Sequence, residues 1–358
     1  MARRLTFALI AFALLLVADG GRAAKGTQCD PAKQGCFELD STIAFSSNRD
    51  NLTVTPVADG GEIYLMNPDG TNVRRLTADL FFDGFANLSP EGKKVVFDSD
   101  RLSGKANVSD LFLMESDGSG QTFLTRGSSA TWSPNGKEIA FHASASGTGT
   151  PVRTDPGSAT TDSDIFVVNV DDLLAGVATP TDITNSSDKV DDDADWSSTG
   201  RLVYSAHDVG DDPPAPPVTS NTAEIYTIDP DGSGRVQVTD NSEEERAPNW
   251  SPDGTRIVYM CRIGGGAADF EICVMNADGS GVQQLTSNSV GDLTPTFSPD
   301  GQQIVFHRAL GPGVGFQLFT INAQLNPDGT RPTATQLTLP PGINAFAHWG
   351  LLRVHLKH

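Results

Sequence analysis

The sequence predicts an all-β fold: a six-bladed β-propeller of four-stranded antiparallel blades, closed by the C-terminal strand joining the N-terminal blade. Three observations predict it. One short phrase recurs in phase along the chain. The apolar runs between its copies are brief, β-branched and aromatic, as buried strands are. Nothing in the chain beyond residue 24 sustains a helical period with capping residues.

The phrase reads Leu88-Ser89-Pro90-Glu91-Gly92, Trp132-Ser133-Pro134-Asn135-Gly136, Trp196-Ser197-Ser198-Thr199-Gly200, Trp250-Ser251-Pro252-Asp253-Gly254 and Phe297-Ser298-Pro299-Asp300-Gly301. Pro fixes φ, Asp or Asn bonds its own backbone and Gly takes positive φ, so each copy is a tight turn between two strands. An apolar run follows each turn, for example Ile257-Val258-Tyr259. After a variable loop a second run appears, such as Ile272-Cys273-Val274-Met275, then an Asp-Gly-Ser-Gly turn (from Asp117, Asp231 and Asp278), then an apolar residue and Thr. Four strands per unit of about 50 residues make a propeller blade.

The sixth blade is split between the ends. Ile43-Ala44-Phe45, Ile63-Tyr64-Leu65-Met66 and Leu76-Thr77 supply strands two to four, and Ala345 to Gly350, with Trp349, supplies the first. Closure removes the open edges of a linear stack. The blades are expected at 43–77 plus 345–354, 84–125, 127–184, 191–239, 245–286 and 292–338. Surface insertions fall after strand two at Gly147–Ser163 and Val209–Thr222.

Residues 1–24 read as a signal peptide: Arg3 and Arg4, the apolar stretch Leu5–Val17, and small Ala23 and Ala24 at the cut. An exported product, periplasmic or secreted, is expected, with no membrane span after cleavage. Residues 25–42 form an N-terminal segment containing Cys29 and Cys36. Export permits disulfides. Cys29–Cys36 and Cys261–Cys273 are the expected pairs, the second on two arms of a hairpin around Gly264-Gly265-Gly266. The formal charge is −20. The first 24 residues carry three Arg and one Asp, so the mature chain stands at −22. Such a chain lacks the basic footprint of a nucleic-acid binder or a binder of anionic membranes.

The recurring Trp-Ser-Pro-Asp-Gly … Ile-Val-Tyr … Val-Met-Asn-Ala-Asp-Gly … Leu-Thr phrase resembles the WD40-like, TolB-type propeller repeat over residues 43–354. That resemblance implies a six-bladed propeller in an exported bacterial protein that binds other envelope proteins. TolB carries an α/β domain before its propeller, and about 18 residues separate the signal from the first blade here. Contacts made by such a domain are not carried over.

Three features of this scaffold bear on chemistry. A serine peptidase needs a Gly-x-Ser-x-Gly elbow and a further domain; the Gly-Ser-Gly sequences here lie in hairpin turns, so no catalytic residues are expected. A metal-dependent polysaccharide lyase or hydrolase at the central channel is the alternative reading. His142 and His307 share one offset in their blades and His348 lies in the closing strand. The third feature comes from aligning the repeats. Five residues before each phrase aromatic (or Leu88) stand Asp83, Gly127, Asp191, Glu245, Asp292 and Asn344. These are expected to ring the channel mouth, joined by Asp193 and Asp195 through strand alternation. Converging carboxylates spread into water, take protons or hold a cation. Ca²⁺ is the cofactor candidate, at Asp191 and Asp292. The reading is a non-catalytic, monomeric binding scaffold for an envelope or extracellular protein, with a basic segment as candidate ligand, engaged at the channel mouth and the blade loops.

Overall fold

The computed structural model describes residues 27–30, 35–50, 61–103, 108–145, 151–152, 163–208, 223–264, 269–311 and 314–355. The expected signal peptide, most of the insertion 147–163 and the insertion 209–222 lie outside the described residues.

Six antiparallel sheets follow one another along the chain. The inner strands of blades two to six are Asp83–Leu88, Ser128–Trp132, Lys189–Trp196, Glu244–Trp250 and Asp292–Phe297. Blade one takes its inner strand from the other end of the chain: Asn344–His355 pairs antiparallel with Gly35–Ser47, and Ile43 faces Trp349. The ladder therefore begins upstream of residue 43. Thr27–Asp30 extends this sheet and sets Cys29 opposite Cys36 in backbone register; their side chains lie outside the described residues. Among the described residues there is one helix, Val170–Leu174, capped by Asn169. No helix among them is long and apolar enough to cross a membrane.

Repeat residues act locally as the turn chemistry requires. In blade five the Ser251 hydroxyl donates to Asp253 Oδ1 at 2.6 Å, and the same oxygen accepts from Thr255 N at 3.0 Å. Outer turns close alike: Asp231 Oδ1 accepts from Ser233 N and Asp278 Oδ1 from Ser280 N. Their glycines also serve packing. A Cβ on Gly70, Gly118, Gly232 or Gly279 would fall 2.5–2.9 Å from a backbone carbonyl of the preceding blade, at Leu337, Leu76, Ile183 and Val238. The contact of Gly70 with Leu337 joins blade one to blade six and so completes the circle.

The terminal Thr of the repeat is a latch. Thr77, Thr184, Thr239, Thr286 and Thr338 each accept, at 2.8–3.0 Å, from a backbone N–H near the start of their blade's third strand, at Ile63, Ile165, Ile225, Ile272 and Leu318. Each thereby satisfies a buried amide at the strand's start.

Between strands two and three the core is aromatic. Phe45–Tyr64, Phe97–Phe112, Phe141–Phe166, Tyr204–Tyr226 and Phe306–Phe319 face one another in register, with centroids 5.7–5.9 Å apart. Blade five breaks the pattern: Tyr259 faces Cys273, which is bonded to Cys261 across the two strands.

Candidate functional site

Of the residues expected to ring the channel mouth, Asp193 and Asp195 line the channel, whereas the other four acids are buried away from it. Asp83, Asp191, Asp292 and Asn344 are fully buried and Glu245 nearly so. Each lies at a blade junction and is held by polar neighbours. Asp83 takes two bonds from Arg101 at 2.8 and 2.9 Å, and Asp292 takes two from Arg308 at 2.6 and 2.7 Å. Asp191 lies 3.6 Å from Arg235 and accepts from Ser186. Asn344 accepts from Arg49 at 2.7 Å. These four arginines also lie 4.7–5.2 Å from a ring of their blade's aromatic pair. Acid or amide, guanidinium and stacked rings thus form one unit that appears four times. Blade three has Gly127 instead of an acid, and a Cβ there would fall 2.5 Å from the Phe141 ring.

Burial governs the charges. It raises Asp83 and Asp191 to about 6 even against their arginines. Glu245 has Asn241 for a hydrogen-bond donor and Glu224 for a neighbour, so burial and like charge both raise it. At the two residues named for calcium, both Asp292 oxygens accept from Arg308, whereas Asp191 Oδ2 accepts from Ser186 and its Oδ1 lies 3.6 Å from Arg235 without a hydrogen-bond partner among the described residues. A further acidic group is Glu62, Asp79 and Asp83. Their oxygens converge within 4.8 Å, but Arg75 and Arg101 share the cluster at 2.6–3.1 Å.

The channel itself is lined by residues two and four places further on. Three residues before each phrase position stand Phe85, Ser129, Asp193, Ala247, Thr294 and Phe346, and all six have φ between 45 and 54°. Only two other non-glycine residues described share that region. Inner-strand register shifts next to these positions, as between Asp192 and Asp195. An extra residue with left-handed backbone is a β-bulge. It breaks the simple alternation on which the expected ring relied, and so turns Asp191 into the junction while Asp193 and Asp195 line the channel. All six inner strands surround this cavity of about 100 Å³.

Its wall is polarised. Asp193 and Asp195 come from blade four, and Phe85 and Phe346 lie together from blades two and one with centroids 4.0 Å apart. Asp195 accepts from Trp250 N at 2.8 Å and Thr131 Oγ1 at 3.0 Å, yet burial raises it to about 6. Asp193 is raised by burial, an effect that His142 opposes.

His142 and His307 occupy the residue after the second-strand aromatic, and Asp98 is their counterpart in blade two. All three reach the bulge of the next blade. Asp98 accepts from Ser129 N at 3.1 Å, His142 Nδ1 from Asp193 N at 3.4 Å and His307 Nδ1 from Phe346 N at 3.4 Å. Thr294 Oγ1 also lies 2.7 Å from His307 Nδ1. Burial lowers His307 to about 3 and His348 to about 4, so both rings are neutral, and His348 Nδ1 accepts from Leu88 N at 3.3 Å. Burial raises Asp98 to about 7. These side chains brace the strained bulges. The aromatic side of the channel has no sequence expectation behind it, although the alignment that gives Asp83 shows Phe85 and Phe346 two residues on.

No family model matches the chain. A 52-residue stretch is 48% identical to dipeptidyl-peptidase 5 of Porphyromonas gingivalis, covering 14% of this chain and 8% of that protein. Among solved structures, TolB from Acinetobacter baumannii superposes with a TM-score of 0.62 at 16% identity, over 87% of this chain and 66% of that one. A putative TolB from Agrobacterium tumefaciens gives 0.56 at 17% identity, over 88% and 99%. The chain thus spans about two thirds of the first structure and a small fraction of the peptidase. With six blades, a closing C-terminal strand and these neighbours, the chain has the TolB-like six-bladed propeller fold.

Proposed function

We propose that the chain is an exported, non-catalytic scaffold that binds an envelope or extracellular protein, through a basic segment, at the channel mouth. The observation that carries this reading is the one-sided acidic wall of blade four, where Asp193 and Asp195 line the channel and Asp192 adjoins them on the same inner strand. Asp192 and Asp193 are half-buried and reachable from water, and among the described residues neither forms a close pair with Arg or Lys. Such an arc attracts a cation or a basic segment by long-range field. The Arg3-Arg4 and Leu5–Val17 leader and the buried Cys261–Cys273 bond support export.

The histidines that a lyase would need to turn toward a metal accept backbone N–H groups instead. The peptidase similarity is too short to carry an activity. Both facts favour binding over catalysis.

The test is capture from an envelope extract with the chain from residue 25 onward, with and without EDTA. Capture that is indifferent to EDTA, weakens with salt and is lost in Asp192→Asn/Asp193→Asn supports the reading. Capture unchanged in that variant places the contact elsewhere.

A further inference from the structure

Blade one differs from its neighbours where the bulge of the next blade is braced. Blades two, three and six use Asp98, His142 and His307 there; blade one has Ser46. A serine is too short to fill the same space. A cavity of about 390 Å³ opens beside it, on the far side of Phe85 and Phe346 from the channel. Phe82, Phe85, Phe316 and Phe346 wall it, all half-buried. Ser46 lines it at 4% exposure, and its Oγ has no hydrogen-bond partner among the described residues.

These walls are built rather than incidental. Phe82 is seated by two glycines: a Cβ on Gly61 would fall 3.0 Å from its ring and one on Gly84 2.3 Å. Neither glycine has positive φ, so close approach of the ring is what each position needs. Phe82 meets Phe346 edge-on with centroids 6.4 Å apart. His307 holds Phe346 from below, edge-on at 5.3 Å, and Phe316 lies edge-on to His307 at 5.0 Å.

Rings presenting edges and faces to one void suit another ring, since aromatic pairs favour offset and edge-to-face contact. A buried hydroxyl without a partner is costly and is satisfied by a ligand that brings a donor or acceptor. A dry cavity of about 150 Å³ already admits benzene, so one substituted ring fits here. We propose that this mouth cavity binds a single aromatic ring bearing a hydroxyl, of the size and chemistry of a phenol, with Ser46 Oγ as its hydrogen-bond partner. Such a ring comes either from a free phenolic compound or from a tyrosine of a partner. The site does not depend on the acidic arc; a chain that captures no partner can still bind the ring.

The experiment is saturation-transfer and titration NMR on the chain from residue 25 onward with p-cresol, toluene and cyclohexanol at millimolar concentration. p-Cresol is expected to bind best, and cyclohexanol at least tenfold more weakly. Ser46→Ala should weaken p-cresol about fivefold, the share of one neutral hydrogen bond, and leave toluene unchanged. Phe316→Leu should weaken both aromatic probes, with an unaltered melting curve as the check on folding. Contacts from the p-cresol methyl to phenylalanine ring protons locate the ligand with no variant needed. No saturation transfer to p-cresol, equal loss of p-cresol and toluene in Ser46→Ala, or contacts to residues outside the cavity would overturn the proposal. A capped Gly-Tyr-Gly peptide separates the sources: tighter binding than p-cresol assigns the ring to a protein side chain, and exclusion while p-cresol binds assigns it to a free phenol.

Discussion

Arg308 grips Asp292 with both arms of its guanidinium, at 2.6 and 2.7 Å, while its central carbon lies 4.8 Å from the centre of the Phe319 ring. One cation thereby neutralises a fully buried carboxylate and covers the aromatic pair beneath it. Removing one partner strands the other. Arg308→Met is expected to cost about 3 kcal/mol, in the range for breaking a buried pair. The double variant Asp292→Asn/Arg308→Met should lose less than Arg308→Met alone, because no buried charge remains. Urea unfolding of the four chains checks this; a double variant less stable than the sum of the singles would contradict the pairing.

The buried carboxyls set a pH dependence of definite sign. Burial raises Asp98 from 3.8 to about 7 although Ser128 and Ser129 donate to it. Between those values the folded chain holds a proton that the unfolded chain releases. Stability is therefore full below about pH 4 and is lost as pH rises through about 7. Asp83, Asp191 and Asp195, each raised to about 6, act in the same direction. His307 and His348, lowered to about 3 and 4 by burial, act in the opposite direction below about pH 6.5; the four carboxyls outweigh them, so the melting temperature should still fall from pH 5 to pH 8. Asp98→Asn mimics the protonated form, so it should flatten this fall and match or exceed the parent at pH 8. Each tenfold difference in proton affinity between folded and unfolded chain is worth about 1.4 kcal/mol. Between pH 5 and pH 8 this one group therefore contributes on the order of 3 kcal/mol to the fall. A chain more stable at pH 8 than at pH 5 contradicts the assignment.

Blade five shows a replacement. Where five blades stack two rings, Tyr259 faces Cys273 and the Cys261–Cys273 bond fills the place. Both sulfurs are buried. Closing a loop of this length contributes about 2–3 kcal/mol through the unfolded chain. Cys261→Ala/Cys273→Ala should lose about that much, and reduction of the parent should shift its denaturant midpoint in the same direction. Cys273→Phe with Cys261→Ala, which restores the ring pair, should recover part of the loss.

The fold was legible because its signals are local and repeated. Pro, Asp and Gly fix the turns wherever they occur, and Trp349 supplies by analogy the missing inner strand of blade one. The acidic ring was legible as a pattern but not as a place. Alignment found Asp83, Asp191, Glu245 and Asp292, while their direction depended on a bulge that alternation does not foresee. Nothing in Ser129, Ala247 or Thr294 signals left-handed backbone, since glycine is the residue that normally adopts it. The arginine partners were hidden as well: Arg101 lies 18 residues from Asp83 and Arg235 lies 44 from Asp191, offsets set by strand and loop lengths rather than by a motif.

The bulges themselves make the last prediction. Ala247 and Thr294 hold φ of 48 and 45°, where a side chain strains the backbone. An L residue in this region costs about 1–2 kcal/mol, and glycine's greater freedom in the unfolded chain returns about 0.5–1 kcal/mol of that. Ala247→Gly should therefore stabilise the chain by up to about 1 kcal/mol. Thr294→Gly removes the same strain but also the hydroxyl 2.7 Å from His307 Nδ1, and with it a bond worth about 1 kcal/mol at a buried ring. It should be neutral or destabilising. Calorimetry on the two variants separates the two effects. If both gain equally, the Thr294–His307 contact contributes nothing; if both lose, the bulge geometry is held by the side chains and not in spite of them.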